Sequence, residues 1–187
     1  MMRKQAVGWM VVGVVALLLS IPVQAYAAYE FYVTIEGVKQ GKFKGESLRK
    51  GMEGKIPGMR FQYSVTSPRD PQSGLPTGKR LHQPVVITKQ WGVSSPQMFQ
   101  AHVTNEALKS VVIEFVRINP KGQEYVFQMI RLTNAAIISI RQYANVANPG
   151  EPVYPLGLED IAFVFQKIEI SNQDGKTMAM DDWGAVR

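Results

Sequence analysis

The sequence contains no cysteine among its 187 residues and only two histidines. Without cysteine the chain has no disulfide, no thiolate zinc site, no redox CxxC pair and no catalytic cysteine. His82 and His102 lie far apart in the chain, without the close spacing of metal ligands. Asp181 and Asp182 are adjacent, so on a strand they point to opposite faces and cannot act as one acid–base pair. We therefore expect no enzymatic activity, no metal and no cofactor.

Charged residues are also scarce, at 19% of the chain, whereas hydrophobic residues make up 45%. This balance is typical of a globular domain and excludes an intrinsically disordered chain. The formal net charge is +6. Net charge bears on solubility and association rather than on fold, and the most basic stretch contains no aromatic residue apart from Phe43. We expect no nucleic-acid partner.

The first 27 residues differ in composition from the rest. Arg3 and Lys4 precede a long uncharged segment that contains the apolar run 11–19 and ends in Ala25-Tyr26-Ala27. This order of basic, apolar and small residues predicts a secretory signal peptide over residues 1–27, and hence a secreted or periplasmic protein. The alternative is an uncleaved membrane anchor, because the segment is long enough to span a bilayer about 30 Å thick. A membrane is then a partner only through this segment.

Cleavage after residue 27 leaves a domain over residues 28–187, whose formal charge falls from +6 to +4 once Arg3 and Lys4 are removed. A chain of this size buries about 70% of the surface that its unfolded form exposes, so it can form one core by itself. Because it is exported without disulfides, its stability has to come from packing, from assembly or from both.

Short runs of β-branched and aromatic residues, bounded by glycine, proline and asparagine, dominate this domain. Several of them are apolar on both faces, as at Val111-Val112-Ile113 and Ala136-Ile137-Ile138, which indicates strands covered on two sides. We therefore expect a mainly β fold, a β-barrel or sandwich-like protomer with one short α-helix. The alternation predicts strands at 29–35, 59–66, 81–90, 111–118, 124–132, 135–143, 159–170 and 176–180.

The helix is predicted over residues 94–105. Ser94-Ser95-Pro96 supplies a serine N-cap followed by a proline in the first turn, where its missing N–H costs least. Met98, Ala101 and His102 then share one helical face.

Two polar segments are candidates for binding. Residues 67–78 contain three prolines and two glycines, which predicts a projecting loop, and long loops in compact domains are usually functional or disordered. Residues 36–55 are rich in lysine and form either a solvated loop or a patch for an anionic surface. The candidate residues of that patch are Lys39, Lys42, Lys44, Arg49 and Lys50.

Several short segments carry a resemblance to one family. They are FYVTIEGV at 31–38, GES at 45–47, TGKRLHQPVVITK at 77–89, SSPQMFQA at 94–101, VIEFVR at 112–117, LTNA at 132–135, EDIAFVFQKI at 159–168 and the closing Asp182-Trp183. In this order they resemble the Hcp family, the haemolysin-coregulated proteins that form the inner tube of the bacterial type VI secretion system. The resemblance covers almost the whole domain.

The resemblance implies a homo-hexameric ring that stacks into a tube, is propelled by a contractile sheath, is capped by a spike protein and carries small effectors in its lumen. It implies no enzymatic activity. It also implies that the projecting loop contacts the next ring. The residues expected there are Arg69, Asp70, Leu75, Lys79 and Arg80.

The predicted signal peptide departs from the family, whose tubes assemble in the cytoplasm. Three explanations stay open: a secreted relative that has kept the ring and lost the sheath, a misassigned start codon, or another role for the N-terminal segment. A second functional hypothesis is an exported monomeric binding module that holds an anionic surface through the lysine-rich segment.

Overall fold

The computed structural model describes residues 31–144 and 157–183. The predicted signal peptide lies outside this part of the chain, as do the first two residues of the strand predicted at 29–35. The described residues form, in order, β1 (Phe31–Gly37), β2 (Gly41–Lys42), β3 (Ile56–Gly58), β4 (Arg60–Gln62), β5 (Val65–Thr66), β6 (Leu81–His82), β7 (Val85–Gln90), α1 (Ser95–Val103), β8 (Leu108–Ile118), β9 (Glu124–Tyr143), β10 (Leu158–Asn172) and β11 (Thr177–Asp182). The predicted mainly β class with one short helix is confirmed.

Nine of these strands form one antiparallel sheet in the order β2-β1-β8-β9-β10-β7-β4, with β3 beside β1 and β11 beside β10. Only Met59 separates β3 from β4, so the two ends of the sheet come close together and the sheet is strongly curved. β3 pairs with β1, whereas β4 pairs with β7, so the chain crosses at Met59 from one end of the sheet to the other. The N–H of Met59 donates to the Thr88 carbonyl at 2.8 Å. Of the predicted barrel-like or sandwich-like arrangements, a closed barrel does not form within the described residues, because the sheet stays open and curved.

Two of the predicted strands are each divided. The segment 59–66 contributes β4 to the main sheet and β5 to a separate two-stranded sheet with β6. The segment 81–90 breaks between β6 and β7 at Pro84, which has no N–H to donate to a ladder. Conversely, the strands predicted at 124–132 and 135–143 form one strand, β9, which continues through Asn134 at a φ of 50°.

The concave face of the sheet holds the core. Val33, Ile113, Leu132 and Phe163 are fully buried there, one from each of four neighbouring strands. The helix α1 covers this core with Met98 and Ala101. It is shorter than predicted at both ends.

The start of α1 differs from the prediction in its chemistry. Ser94 is the N-cap residue, but its side chain makes no cap hydrogen bond. Its hydroxyl instead donates to Glu46 Oε1 at 2.9 Å, and its N–H donates to the same oxygen at 3.2 Å. A carboxylate from the lysine-rich segment therefore holds the N-cap residue, whose hydroxyl donates to it and does not cap the first turn.

The convex face of the sheet is covered in one half only. On β1 and β8 a second apolar cluster of Tyr32, Val116 and Met52 is buried, because the segment between β2 and β3 folds over these strands. On β9 and β10, Ile138 and Val164 remain exposed, at 46% and 38%. The described residues of this chain therefore cover both faces of β1 and β8, as the sequence predicted for Val111-Val112-Ile113, but leave apolar side chains of β9 and β10 exposed.

Candidate functional site

A hairpin projects from the body of the protein between β4 and β7. We define the arm as residues 65–82, comprising β5, β6 and the loop between them. Its two strands pair only with each other, at Val65 with His82 and Thr66 with Leu81. Residues 71–80 are all exposed. The predicted projecting loop is this arm, and it contains Arg69, Asp70, Leu75, Lys79 and Arg80.

The tip of the arm is ordered by its own hydrogen bonds. Asp70 Oδ1 accepts from the N–H of Gln72 at 3.1 Å and from the N–H and hydroxyl of Ser73 at 2.7 Å and 2.8 Å. These bonds from Ser73 and Gln72 hold the pKa of Asp70 below its usual value. Arg69 donates to the Gly74 carbonyl at 2.9 Å, and Gly74 adopts a φ of 69°, which a glycine allows without strain. The tip is therefore preformed before any partner binds.

The root of the arm is attached to the body by a polar cluster. We define the clasp as Tyr63, Arg80, His82 and Asp181. Arg80 forms a two-pronged ion pair with Asp181 in β11, through its Nε and one terminal nitrogen. His82 Nε2 lies 2.8 Å from Asp181 Oδ2, and His82 Nδ1 lies 2.5 Å from the Tyr63 hydroxyl. Neutral His82 satisfies both neighbours when Nε2–H donates to Asp181 and Nδ1 accepts from Tyr63.

Aromatic rings enclose His82. The ring of Trp183 lies 4.8 Å from that of His82, Phe165 lies 5.7 Å away, and Tyr63 stacks at 6.1 Å. Only 5% of the His82 side chain is exposed. Burial, together with the positive charge of Arg80, lowers the pKa of His82, and burial raises the pKa of Tyr63. His82 is therefore a structural histidine of the arm's root, as its isolation in the sequence indicated.

The lysine-rich segment is tied to the body by several of its own charges. Arg49 pairs with Glu124 and donates to the Tyr32 hydroxyl at 3.0 Å. Lys55 pairs with Glu114 at 2.5 Å. Of Arg49 and Lys55, only Arg49 belongs to the predicted anionic-surface patch, and its side chain is still 40% exposed.

Lys39, another residue of the predicted patch, contacts the body through its backbone. The N–H of Lys39 donates to Glu106 Oε1 at 2.7 Å, which anchors the turn after β1. All five predicted patch residues, Lys39, Lys42, Lys44, Arg49 and Lys50, are exposed.

The sequence-based reasoning missed a buried ion pair. Lys89 Nζ lies 3.0 Å from Glu159 Oε1, and each side chain is only 1% exposed. Ser95 and Gln142 donate to the same carboxylate at 2.7 Å and 2.8 Å. Lys89 is two residues after the buried Ile87, and Glu159 is two residues before the buried Ile161, so each shares a strand face with core residues. This spacing could have indicated that both are buried.

The second histidine, on the helix, makes a contact within the fold. His102 Nδ1 lies 3.0 Å from the Ile137 carbonyl, a bond that ties α1 to β9. Within residues 31–144 and 157–183, no three His, Cys, Asp or Glu side chains are grouped to hold a metal. In the same residues, no helix is long and apolar enough to cross a membrane.

Comparison with known proteins agrees with this architecture. Residues 32–171 match the family model "Type VI secretion system effector, Hcp". The chain is 35% identical over 162 residues to "Major exported protein" of Pseudomonas aeruginosa, covering 81% of this chain and 94% of that protein. Among solved structures, an Hcp protein matches at 25% identity and a TM-score of 0.75, covering 83% of this chain and 100% of the other.

A further solved structure, secreted protein Hcp3 from Pseudomonas aeruginosa, is 27% identical with a TM-score of 0.68, over 84% of this chain and 100% of the other. The family match and the structural likeness cover most of the described residues. The chain therefore belongs to the Hcp family of the type VI secretion system, whose members are secreted tube subunits.

Proposed function

We propose that this protein works as a structural subunit of a hexameric ring, and that such rings stack into a secretion tube. The observation that carries the proposal is the match in fold and sequence to Hcp proteins over most of the chain. The role is one of assembly and transport, without catalysis. It implies the sheath, the spike protein and small effector cargo as partners.

Exposed apolar residues on the convex face support contact between subunits. Val164 of β10 faces Ala136 of β9, and Ile138 lies beside them. Ala162 and Val86 continue this strip onto β7. A second copy of the chain that covers the strip would remove its apolar surface from water, which is the main driving force of stable assembly. A heterologous contact that closes on itself produces a ring.

The ring is tested by measuring molecular mass. We expect light scattering to show a hexamer, and Val164→Asp to reduce it to the monomer because the substitution buries a charge in the contact. Val38→Asp is the matched control, since Val38 is exposed in the turn after β1 and lies outside the strip. A wild-type protein that stays monomeric at micromolar concentration contradicts the proposal.

The arm supplies the contact between successive rings in this proposal. It is exposed, preformed at its tip and carries both charges and an apolar residue, Leu75, which is 65% exposed. We expect Leu75→Asp to leave the hexamer intact and to abolish stacking. Sedimentation separates rings from tubes and provides the measurement.

Residues 1–27 are proposed to be a signal peptide and residues 28–187 the exported domain. The support is the order of basic, apolar and small residues in this segment. N-terminal sequencing of the protein from cell fractions tests it. Ala28 at the N-terminus of the exported protein is the expected result, and Met1 there contradicts cleavage.

A further inference from the structure

We propose that the clasp formed by Tyr63, Arg80, His82 and Asp181 sets the direction in which the arm leaves the body, and thereby controls whether rings stack. This inference rests on the proposed ring and arm contacts. It adds that stacking depends on residues at the root of the arm, which need not touch the next ring.

The backbone joins the arm to the main sheet through two short links, residues 63–64 and 83–84. β5 and β6 form a two-stranded sheet apart from the main sheet, and an isolated two-stranded hairpin is marginally stable in water. The chain enters the arm after Ser64 and leaves it at Gln83, whose N–H donates to the Ser64 carbonyl at 2.9 Å. This bond joins the two strands of the arm at its base, between the pairing of β4 with β7 and that of β5 with β6. Side chains that reach from the arm to the main sheet add a restraint on its angle that these short links do not supply.

The clasp has the geometry to do so. Asp181 belongs to β11, which is hydrogen-bonded to β10 in the main sheet, whereas Arg80 and His82 belong to the arm. One carboxylate thus receives two N–H groups from Arg80 and one from His82. Bidentate arginine–carboxylate pairs restrict orientation as well as distance. Tyr63, just before the arm, fixes the other edge of the His82 ring, so rotation of the arm breaks several bonds together.

Burial of its histidine and its carboxylate distinguishes the clasp from an ordinary surface ion pair. The side chains of His82 and Asp181 are 5% and 18% exposed, whereas that of Arg80 is 41% exposed. The pair between Arg117 and Asp174, at the tips of two other hairpins, is 46% and 37% exposed. Because solvent screens an exposed pair, we expect it to restrain geometry far less. Asp174→Asn is therefore a matched control for Asp181→Asn.

The experiment compares Asp181→Asn, Tyr63→Phe and the control Asp174→Asn by three measurements. Hydrogen exchange of amides 64–83 reports the order of the arm. Light scattering reports the ring, and sedimentation reports the protein concentration at which tubes form. Asp181→Asn places an amide N–H2 opposite the donors of Arg80 and His82. Tyr63→Phe removes one hydroxyl and keeps the ring packing, so this milder variant preserves the fold even if Asp181→Asn does not.

We expect Asp181→Asn to speed exchange in the arm and to raise the concentration needed for tubes by at least about tenfold each, as loss of a bond to a charged group predicts. Tyr63→Phe should shift both in the same direction by less. The mass of the ring should not change, and Asp174→Asn should behave as wild type.

Two results overturn the inference: exchange in the arm that stays as slow as in wild type, or faster exchange with tubes that form at the wild-type concentration. Wild-type rings that never stack also overturn its second half. If wild type forms no ring, the proposed function fails, and hydrogen exchange still decides whether the clasp orders the arm.

Discussion

The body and the arm of this protein are stabilised in different ways. The body buries apolar side chains from neighbouring strands, and Val33, Ile113 and Phe163 are fully enclosed. The arm exposes nearly all of its tip and is ordered by hydrogen bonds within the loop and by the clasp at its root. Burial is not directional, whereas hydrogen bonds and ion pairs fix angles. The body thus supplies stability, and the arm presents a surface with a defined shape.

The largest expected change in the free energy of unfolding comes from truncating a side chain in the core of the body. Phe163→Ala should lower the free energy of unfolding by about 3–5 kcal/mol, because it removes a buried ring and leaves a cavity. Urea unfolding followed by tryptophan fluorescence measures the change. Phe99→Ala removes the same group from an exposed position of α1 and should cost less than about 1 kcal/mol. Equal losses at the two sites would contradict the placement of the core.

The buried ion pair sharpens what the body requires. Lys89→Met should lower the free energy of unfolding by about 3–5 kcal/mol, because it leaves the Glu159 carboxylate buried without its cation. Adding Glu159→Met should recover most of that loss, since the uncompensated charge is removed as well. A double variant that is as unstable as the sum of the single variants would show that the two residues do not act as a pair.

Within the arm, a substitution should act locally. Asp70→Ala removes the acceptor of three hydrogen bonds at the tip. We expect faster hydrogen exchange at residues 72–75 and an unchanged urea midpoint for the body. A shift of that midpoint would mean that the arm and the body unfold as one cooperative unit.

The smallest effect on the free energy of unfolding is expected from the protonation of His82, which lies where the arm meets the body. The pKa of His82 in the folded protein lies below its ordinary value of 6.5. As the pH falls below about 6.5, the unfolded chain therefore binds a proton before the folded protein does. The contribution of His82 to the free energy of unfolding is therefore fully present above that pH, and it decreases as the pH falls toward the pKa of His82 in the folded protein. His82→Gln should show a weaker decrease in urea midpoint on acidification, and an equal decrease would contradict the burial of His82.

Much of the body could be predicted from the sequence because strands and turns depend on near neighbours. Alternation located most of β1, β7, β8, β9 and β10, and Ser94-Ser95-Pro96 marked the start of α1 within a residue. The projecting loop at 67–78 followed from its prolines and glycines. The division of the segment 81–90 was not predicted, although Pro84 has no N–H to donate to a ladder.

The contacts within the candidate site could not be predicted in the same way. His82 is 19 positions from Tyr63 and 99 from Asp181, and no local pattern relates residues so far apart. Glu46 accepts from Ser94 across 48 positions, which replaced the local N-cap expected from the serine. Whether the sheet closes into a barrel could not be predicted for a similar reason, because pairing between the two ends of the sheet depends on the path of the chain at Met59.

The sequence alone determined the absence of thiol chemistry, the β-rich class and the order of most elements. These depend on composition and on short-range periodicity, which each segment carries by itself, while the family followed from the resemblance of its ordered motifs. Only the tertiary structure decided that the sheet stays open, that Lys89 and Glu159 are buried together, and that Asp181 holds the root of the arm. Those features depend on which distant segments the folded chain brings within hydrogen-bonding distance, and that is a property of the whole core.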